Sequence, residues 1–269
     1  MTYLENQFGL KDKLAVITGG GGALCGAIAG GFLKAGAKIV LWGHKMSTLE
    51  EKKNELIKDG AKSEYIELYE VNLLEEAQIN SALEATTASM GHVEILLNGV
   101  GGSSVRTALT ETDSADFERI INLNLMAGCF LPTKCFASYW IKNNIRGTVL
   151  NIASMASFNP LSGAWGYSAA KAAVMNQTVA HARELADFGI RVNAIAPGFF
   201  LGKQNRKLLQ NEDGTPTTRG QNVLAHTPAR RFGNPEELCA AAIFLCSPGA
   251  SFINGVTLPV DGGYLCHNI

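Results

Sequence analysis

The sequence predicts an α/β protein in which helices cover both faces of a parallel sheet. Three observations support this prediction. Short runs rich in Val, Ile and Leu alternate with longer helical segments along the 269 residues. These runs are apolar at consecutive positions, as strands are when both of their faces are buried. Alternating strands and helices also require crossover connections, which place helices on either side of a parallel sheet.

The apolar runs and the helical segments can be placed in chain order. The predicted strands cover residues 14–18, 38–42, 65–71, 93–98, 147–154, 190–196 and 255–260. The predicted helices cover residues 23–36, 47–59, 75–90, 113–143, 164–188 and 235–247. Gly60, Gly91 and Gly189 follow three of these helices, where glycine commonly ends a helix. Pro132 predicts a kink or a junction inside the fourth helix, and Pro235 suits the first turn of the last.

One long segment, residues 199–234, is polar, irregular and rich in glycine and proline. Loops of this length in compact domains usually bind ligands or cover a binding site. The sequence contains no internal repeat and no linker. We therefore predict a single domain over residues 1–269, with a substrate lid at about 199–234.

Composition excludes several classes of protein. With 46% apolar and 17% charged residues, the chain can bury a large core and is not intrinsically disordered. A formal net charge of −1 provides no general attraction for nucleic acid or an anionic membrane. No continuous apolar run reaches spanning length and no signal peptide is evident, so we expect a cytoplasmic protein. The six cysteines and five histidines lack ligand spacing, so no metal site is expected.

Four consecutive glycines, Gly19 to Gly22, lie between the first predicted strand and the first predicted helix. A tight turn alone would explain some of them. However, the free N–H groups at a helix N-terminus suit a pyrophosphate, and side chains would block its approach. The position of the turn within an α/β pattern therefore predicts a dinucleotide site.

From this turn onward the chain resembles the short-chain dehydrogenase/reductase family. The family pattern is T-G-x-x-x-G-x-G; this chain has Thr18 and Gly19, but Ala23 and Cys25 stand at the later glycine positions. The resemblance implies a Rossmann fold with a seven-stranded parallel sheet in the order 3-2-1-4-5-6-7. Cys25 is the larger departure, because the helix packs close to the phosphates there. We expect it to alter the pyrophosphate turn and to make the site sensitive to thiol reagents.

Tyr167 and Lys171 are the strongest catalytic candidates. Residues four apart share a helix face, and an ammonium beside a phenol is expected to lower the pKa of the tyrosine from about 10. Ser154 precedes them at the carboxyl end of the fifth predicted strand, where reacting groups gather in such sheets. Both motifs match the family's serine and tyrosine. The resemblance adds Asn124, with Asn122 as the competing choice, as the residue that holds a water in a proton relay.

The resemblance also implies a set of cofactor contacts. These are Gly19, Gly21, Gly22, Ala23, Leu24, Gly43, His44, Lys45, Asn72, Leu73, Asn98, Gly99, Val100, Gly101, Tyr167, Lys171, Pro197, Gly198 and Phe200. NAD-binding proteins carry an acid at the end of the second strand, which hydrogen-bonds the ribose. Gly43 stands there instead, and His44 and Lys45 follow it. This favours NADP(H), with NAD(H) as the alternative.

The segment from Pro197 to Pro235 resembles the sugar-acid branch of the family, the D-mannonate oxidoreductase and gluconate 5-dehydrogenase type. A substrate carboxylate is best recognised by an arginine, and hydroxyls by amides. The predicted substrate contacts are Ser154, Tyr167, Gln204, Asn205 and Arg206, with Lys203, Arg219 and His226 in reserve. The resemblance further implies a basic residue between the serine and the tyrosine, where this chain has Gly163, Ala164 and Trp165. Ser104, Arg106 and Phe158 are additional candidates for the pocket lining.

These observations predict an NAD(P)-dependent oxidoreductase that interconverts a ketone and a secondary alcohol. The expected substrate is a sugar acid of the fructuronate/mannonate or 5-ketogluconate/gluconate type. A 3-oxoacyl thioester reductase is the alternative within this class. A dinucleotide-sensing regulator without catalysis is the alternative outside it. The resemblance implies a homodimer or a homotetramer.

Overall fold

The computed structural model describes residues 2–102, 106–202 and 206–267. The strands are Leu14–Thr18 (β1), Lys38–Gly43 (β2), Ile66–Glu70 (β3), Ile95–Asn98 (β4), Thr148–Ile152 (β5), Arg191–Pro197 (β6) and Thr257–Val260 (β7). They form one sheet in the order β3-β2-β1-β4-β5-β6-β7, and all neighbouring strands are parallel. The predicted fold class and strand order are therefore confirmed. Predicted and observed strand ends differ by a few residues.

The helices connect these strands and cover both faces of the sheet. They are Tyr3–Phe8 (α1), Ala23–Lys34 (α2), Met46–Lys58 (α3), Glu76–Met90 (α4), Ser114–Ile121 (α5), Leu131–Asn143 (α6), Trp165–Leu185 (α7), Arg206–Leu209 (α8), Thr218–Ala225 (α9) and Cys239–Cys246 (α10). The sequence analysis missed α1, which has no buried face. Its N-terminus nevertheless carries a capping box formed by Thr2 and Glu5, a pattern that is readable from the sequence.

The core lies on both sides of β1, whose five residues are all buried. On one side, Ile17 packs with Phe32 of α2 and with residues of α3 and α10. On the other, Val16 packs with Trp140 of α6 and with residues of α4 and α7. Because successive strand residues alternate between the faces, both must be apolar, which explains the continuous apolar runs of the sequence.

The predicted junction at Pro132 is a change of helix type rather than a break. Residues Asn122–Phe130 form a π-helix that continues α5 into α6, and the N–H of Leu131 donates to the Met126 carbonyl five residues back. Proline lacks an N–H, and its ring clashes with the carbonyl four residues earlier in an α-helix. The wider turn before Pro132 accommodates both properties, and such turns are frequent at functional sites.

The helical run from Ser114 to Asn143 is long and apolar enough to cross a membrane by length and composition alone. Polar residues interrupt it, so it does not read as one apolar stretch in the sequence. In the structure, 61% of its most apolar window is buried inside the protein. It has the burial of a core helix, and Phe136 and Trp140 contribute to that core.

The segment 199–234 is more ordered than the sequence predicts. It contains α8 and α9, which contact each other, and an isolated parallel bridge between Phe200 and Gly233 joins its two ends. Both helices are short and largely exposed, so the periodic apolar pattern that reveals longer helices is absent from them.

Candidate active site

The glycine turn joins β1 to α2 and leaves the N-terminus of this helix without a side-chain cap. Gly22 caps α2 without a side-chain hydrogen bond, so a ligand can accept from the first N–H groups of the helix. A Cβ on Gly21 would lie 2.8 Å from Cγ2 of Thr48 in α3, so a side chain there would have to displace that helix residue. Thr18 fixes the turn against β4: its Oγ1 donates to the Leu97 carbonyl and accepts from the Gly99 N–H, at 3.2 and 2.9 Å. This arrangement fits the predicted dinucleotide.

Cys25 occupies space that Gly99 leaves open. Its Sγ lies 3.7 Å from the Gly99 carbonyl oxygen, and a Cβ on Gly99 would collide with this sulfur. The missing glycine in α2 is thus matched by a glycine after β4, so the helix still packs closely on the sheet. Burial raises the pKa of the Cys25 thiol to about 12, which argues against the predicted sensitivity to thiol reagents.

The predicted adenosine contacts lie at the ends of β2 and β3. Gly43 ends β2, and His44 and Lys45 follow with exposed side chains. Asn72 is exposed as well; its side-chain oxygen accepts from the Leu74 N–H at 3.1 Å. Leu73 is buried, so only its backbone is available to a cofactor.

Asn98 does not line the cleft with its side chain, contrary to the sequence expectation. It is fully buried, and its Nδ2 donates to Oγ1 of Thr133 and to Oδ1 of Asn151, both at 2.9 Å. Asn151 in turn donates to Thr178 of α7. This network joins β4 and β5 to α6 and α7.

Ser154 and Tyr167 meet at the carboxyl end of β5. Their side chains share a hydrogen bond, which lowers the pKa of Tyr167, but burial raises it by more, so the net pKa lies above its ordinary value. The expected lowering by Lys171 is therefore not observed. The ammonium of Lys171 lies 5.9 Å from the centre of the Tyr167 ring, and it donates its hydrogen bond to the Ile152 carbonyl instead of the tyrosine.

Lys171 is buried at the carboxyl end of β5. Its Nζ donates to the Ile152 carbonyl at 2.7 Å, and burial lowers its pKa from 10.5 to about 8. One hydrogen bond thus holds Nζ of Lys171 at the end of β5, and its other N–H groups can donate to a ligand.

Asn124 lies inside the π-helix, and its side chain makes three hydrogen bonds to backbone groups. Its Oδ1 accepts from the Gly102 N–H, and its Nδ2 donates to the carbonyls of Gly102 and Ile120, each at 2.9 Å. A Cβ on Gly101 would lie 2.5 Å from this Oδ1 and 3.2 Å from Nζ of Lys171. The side chain therefore fixes the loop after β4. The water relay at Asn124 stays a prediction. The alternative, Asn122, is exposed.

Sequence reasoning missed Ser157, which fixes the loop that carries Ser154. The Ser157 hydroxyl donates to the backbone carbonyl of Lys171 at 2.7 Å and accepts from the N–H of Ser154 at 3.3 Å. It thereby ties the serine loop to the helix of the tyrosine. A serine three residues after the N-cap Ser154 is the only sequence signal of this role.

Two hydrogen bonds join the loop before α5 to the loop before α7 and to the first residue of that helix. Arg106 donates to the Ser162 carbonyl at 3.1 Å, and Trp165 donates through Nε1 to the Thr107 carbonyl at 3.1 Å. Partial burial lowers the pKa of Arg106, and the charge of nearby Arg219 in α9 lowers it further. Arg106 thus brings a cation to the loop between Ser154 and Tyr167, which carries none of its own.

The other predicted substrate contacts are either exposed or outside the described residues. Arg206 begins α8 and is exposed, whereas Gln204, Asn205, Lys203 and Ser104 lie outside the described residues. Phe158 is 42% exposed beside the serine loop.

At the end of β6, Pro197 is the last strand residue and Gly198 follows it. A Cβ on Gly198 would lie 2.7 Å from Cα of Asp261.

Phe200 is buried against Gly233 and lines a cavity of about 260 Å³ with Arg231 and Glu237.

Comparisons with known proteins agree with this geometry. A family model described as "Enoyl-(Acyl carrier protein) reductase" matches residues 22–265. The uncharacterized oxidoreductase UxuB of Bacillus subtilis is 34% identical, over 96% of this chain and 97% of its own. The 2-dehydro-3-deoxy-D-gluconate 5-dehydrogenase of Formosa agariphila is also 34% identical, over 96% and 94%.

Two solved structures are similar throughout. A Haemophilus influenzae protein whose proposed activity is D-mannonate oxidoreductase, with bound NAD, is 34% identical with a TM-score of 0.89, over 98% of this chain and 99% of its own. A gluconate 5-dehydrogenase of Burkholderia cenocepacia, in complex with NADP and tartrate, is 30% identical with a TM-score of 0.87, over 98% and 99%. The chain belongs to the short-chain dehydrogenase/reductase family and is an NAD(P)-dependent oxidoreductase that acts on CH–OH groups.

Proposed function

We propose that this oxidoreductase interconverts a ketone and a secondary alcohol on a sugar acid. The observation that carries the proposal is that Arg106 bonds the Ser162 carbonyl, five residues before Tyr167, and lies near Arg219. No ion pair to either arginine is found among the described residues. Two guanidinium groups that approach each other favour an anion between them, and a carboxylate matches their donors.

The proposed chemistry assigns one task to each polar side chain. The nicotinamide, when bound, supplies or accepts the hydride. Tyr167 donates a proton to the oxygen of the reduced ketone, and Ser154, which shares a hydrogen bond with it, orients that oxygen. Lys171, held at the end of β5 and 5.9 Å from the Tyr167 ring centre, would bind the nicotinamide ribose and stabilise the charge left on Tyr167. Asn124 is a positioning residue, because its side chain is committed to Gly102 and Ile120.

The relatives support a hydroxylated acid as the substrate class. Those matched over nearly the full chain include dehydrogenases of 2-dehydro-3-deoxy-D-gluconate and gluconate, and the Burkholderia enzyme was solved with tartrate. Arg106 and Arg219 would bind the carboxylate. Gln204, Asn205 and Arg206 stay in the proposal as contacts for hydroxyl groups.

The remaining predictions belong to the same proposal. The glycine turn and the ends of β2, β4 and β6 would hold the cofactor, and the 199–234 segment would act as a substrate lid within a single domain. We keep the expectation of a cytoplasmic homodimer or homotetramer. Exposed Phe130, on the long helical run, and exposed Val179, on α7, suit such an interface.

A substrate panel together with one substitution tests the function. Oxidation of NADH and of NADPH is measured with fructuronate, 5-ketogluconate, tagaturonate and an acetoacetyl thioester. We expect a sugar acid to be the best substrate and Tyr167→Phe to lower kcat about 10²- to 10⁴-fold, since it removes the proton donor. Tyr139→Phe is the matched control, because that hydroxyl bonds His92 away from the cleft.

Three results would contradict the proposal. Preference for the thioester would favour a 3-oxoacyl thioester reductase. Ketone reduction at the wild-type rate by Tyr167→Phe would refute the catalytic assignment. Tight cofactor binding without turnover of any ketone would favour a dinucleotide-sensing regulator.

A further inference from the structure

A carboxylate lies beside Gly43, although the end of β2 itself has none. Glu70 ends β3 and pairs with Gly43 in the register of the two parallel strands. Its Oε2 accepts from the backbone N–H of Met46, the first residue of α3, at 2.8 Å. Lys45, the N-cap residue of α3, makes no side-chain capping bond, so Glu70 provides the cap from the neighbouring strand.

This carboxylate is located at the adenosine end of the cofactor cleft. In folds of this type, the end of the second strand holds the adenosine ribose, and the residue there distinguishes a 2′-hydroxyl from a 2′-phosphate. The start of α3 also borders the glycine turn, because a Cβ on Gly21 would contact Thr48. Glu70 therefore borders the space in which the two cofactors differ.

We propose that Glu70 is the residue that discriminates between the cofactors, and that it favours NAD(H). A 2′-phosphate would need the N–H groups and the positive dipole end at the start of α3. Glu70 already uses one of these N–H groups, and its negative charge repels a second anion. For a ribose hydroxyl, by contrast, a carboxylate is a good acceptor.

This preference is the opposite of the one expected from His44 and Lys45. Both of those side chains are exposed, so solvent and salt weaken any attraction between them and a phosphate. Glu70 is exposed too, but its hydrogen bond to Met46 fixes its charge in place. The inference rests on the family's dinucleotide cofactor and is independent of the proposed sugar-acid substrate.

Fragment binding isolates the effect of the 2′-phosphate. Dissociation constants for ADP and for 2′,5′-ADP are measured by isothermal titration calorimetry on the whole enzyme, followed by NAD⁺ and NADP⁺. We expect the wild type to bind ADP more tightly than 2′,5′-ADP. In Glu70→Gln, the ratio of the two constants should move about tenfold toward 2′,5′-ADP, because a like charge is removed while an oxygen acceptor for the Met46 N–H remains.

Glu67→Gln is the matched control. It removes the same charge from the same strand, but its carboxylate bonds Ser89 and Tyr69. The ratio should stay at the wild-type value, and a melting curve of each variant verifies folding. If the wild type prefers 2′,5′-ADP, or if Glu70→Gln leaves the ratio unchanged, the inference is wrong. If neither fragment binds, the cofactor site itself is misplaced and the inference falls with it, whatever the substrate panel shows.

Discussion

The two walls of the cleft differ in how their polar side chains are held. On the wall formed by the π-helix, α7 and the loops after β4 and β5, the side chains of Asn124, Ser157 and Lys171 are bonded to backbone groups of neighbouring elements. On the wall that the 199–234 segment would form as the proposed substrate lid, Arg206 and Arg219 lie on short, largely exposed helices. Proton and hydride transfer require fixed geometry, whereas recognition of a particular substrate depends on surface side chains that can vary without cost to the fold.

The largest expected effect comes from disturbing the rigid wall at Gly101. In Gly101→Ala the new methyl group would meet Oδ1 of Asn124 and Nζ of Lys171, so both would shift. Since misplacements of about 1 Å can cost a hundredfold in rate, we expect kcat/KM to fall by at least that order. Steady-state kinetics with the best substrate of the panel would measure it.

Gly30→Ala is the control for this prediction. It adds the same methyl group in the interior of α2, where the nearest neighbour is the flexible end of Leu56 at 3.2 Å. Its activity should equal that of the wild type. Unchanged kinetics in Gly101→Ala would show that the wall is more tolerant than its hydrogen bonds indicate.

A pH-dependent stability difference is the next expected effect, and it also belongs to the rigid wall. Burial lowers the pKa of Lys171 from 10.5 to about 8, so between these pH values the unfolded chain holds a proton that the folded chain has lost. Raising the pH through this window therefore favours folding, by at most about 3 kcal/mol. In Lys171→Met this contribution is absent.

The measurement is the free energy of unfolding by urea for both proteins, at fixed protein concentration, from pH 7 to pH 10.5. Taking the difference removes the part of the opposing effect of buried thiols such as Cys25 that does not depend on Lys171. The wild type should gain stability relative to Lys171→Met as the pH rises. Lys207→Met, on the exposed wall, gives the reference for removing a surface lysine. A difference between wild type and Lys171→Met that is flat with pH would mean that Lys171 is not effectively buried.

The contrast between the walls also explains what could be predicted from the sequence. The strands were visible because burial on both faces requires continuous apolar runs, and Ser154, Tyr167 and Lys171 because their spacing follows from a strand end and a helix face. The bonds of Asn124 and the position of Glu70 depend on which strands become neighbours, and local spacing does not contain that information. The raised pKa of Tyr167 depends on burial by distant elements, so the pairing with Lys171 suggested the wrong direction.

The smallest expected effect concerns Arg219 on the exposed wall and Arg106 on the loop before α5. If the proposed substrate is correct, removing one guanidinium removes a charge-assisted hydrogen bond to its carboxylate, which is worth about 1.5–3 kcal/mol. In Arg106→Gln and Arg219→Gln, KM for the sugar acid should therefore rise about 10- to 100-fold while kcat changes little, because the interaction is similar in ground and transition states. Arg119→Gln, which loses only a surface pair with Asp116, should leave both constants unchanged. A fall in kcat without a rise in KM would place these arginines among the groups of the rigid wall and remove the distinction between the two.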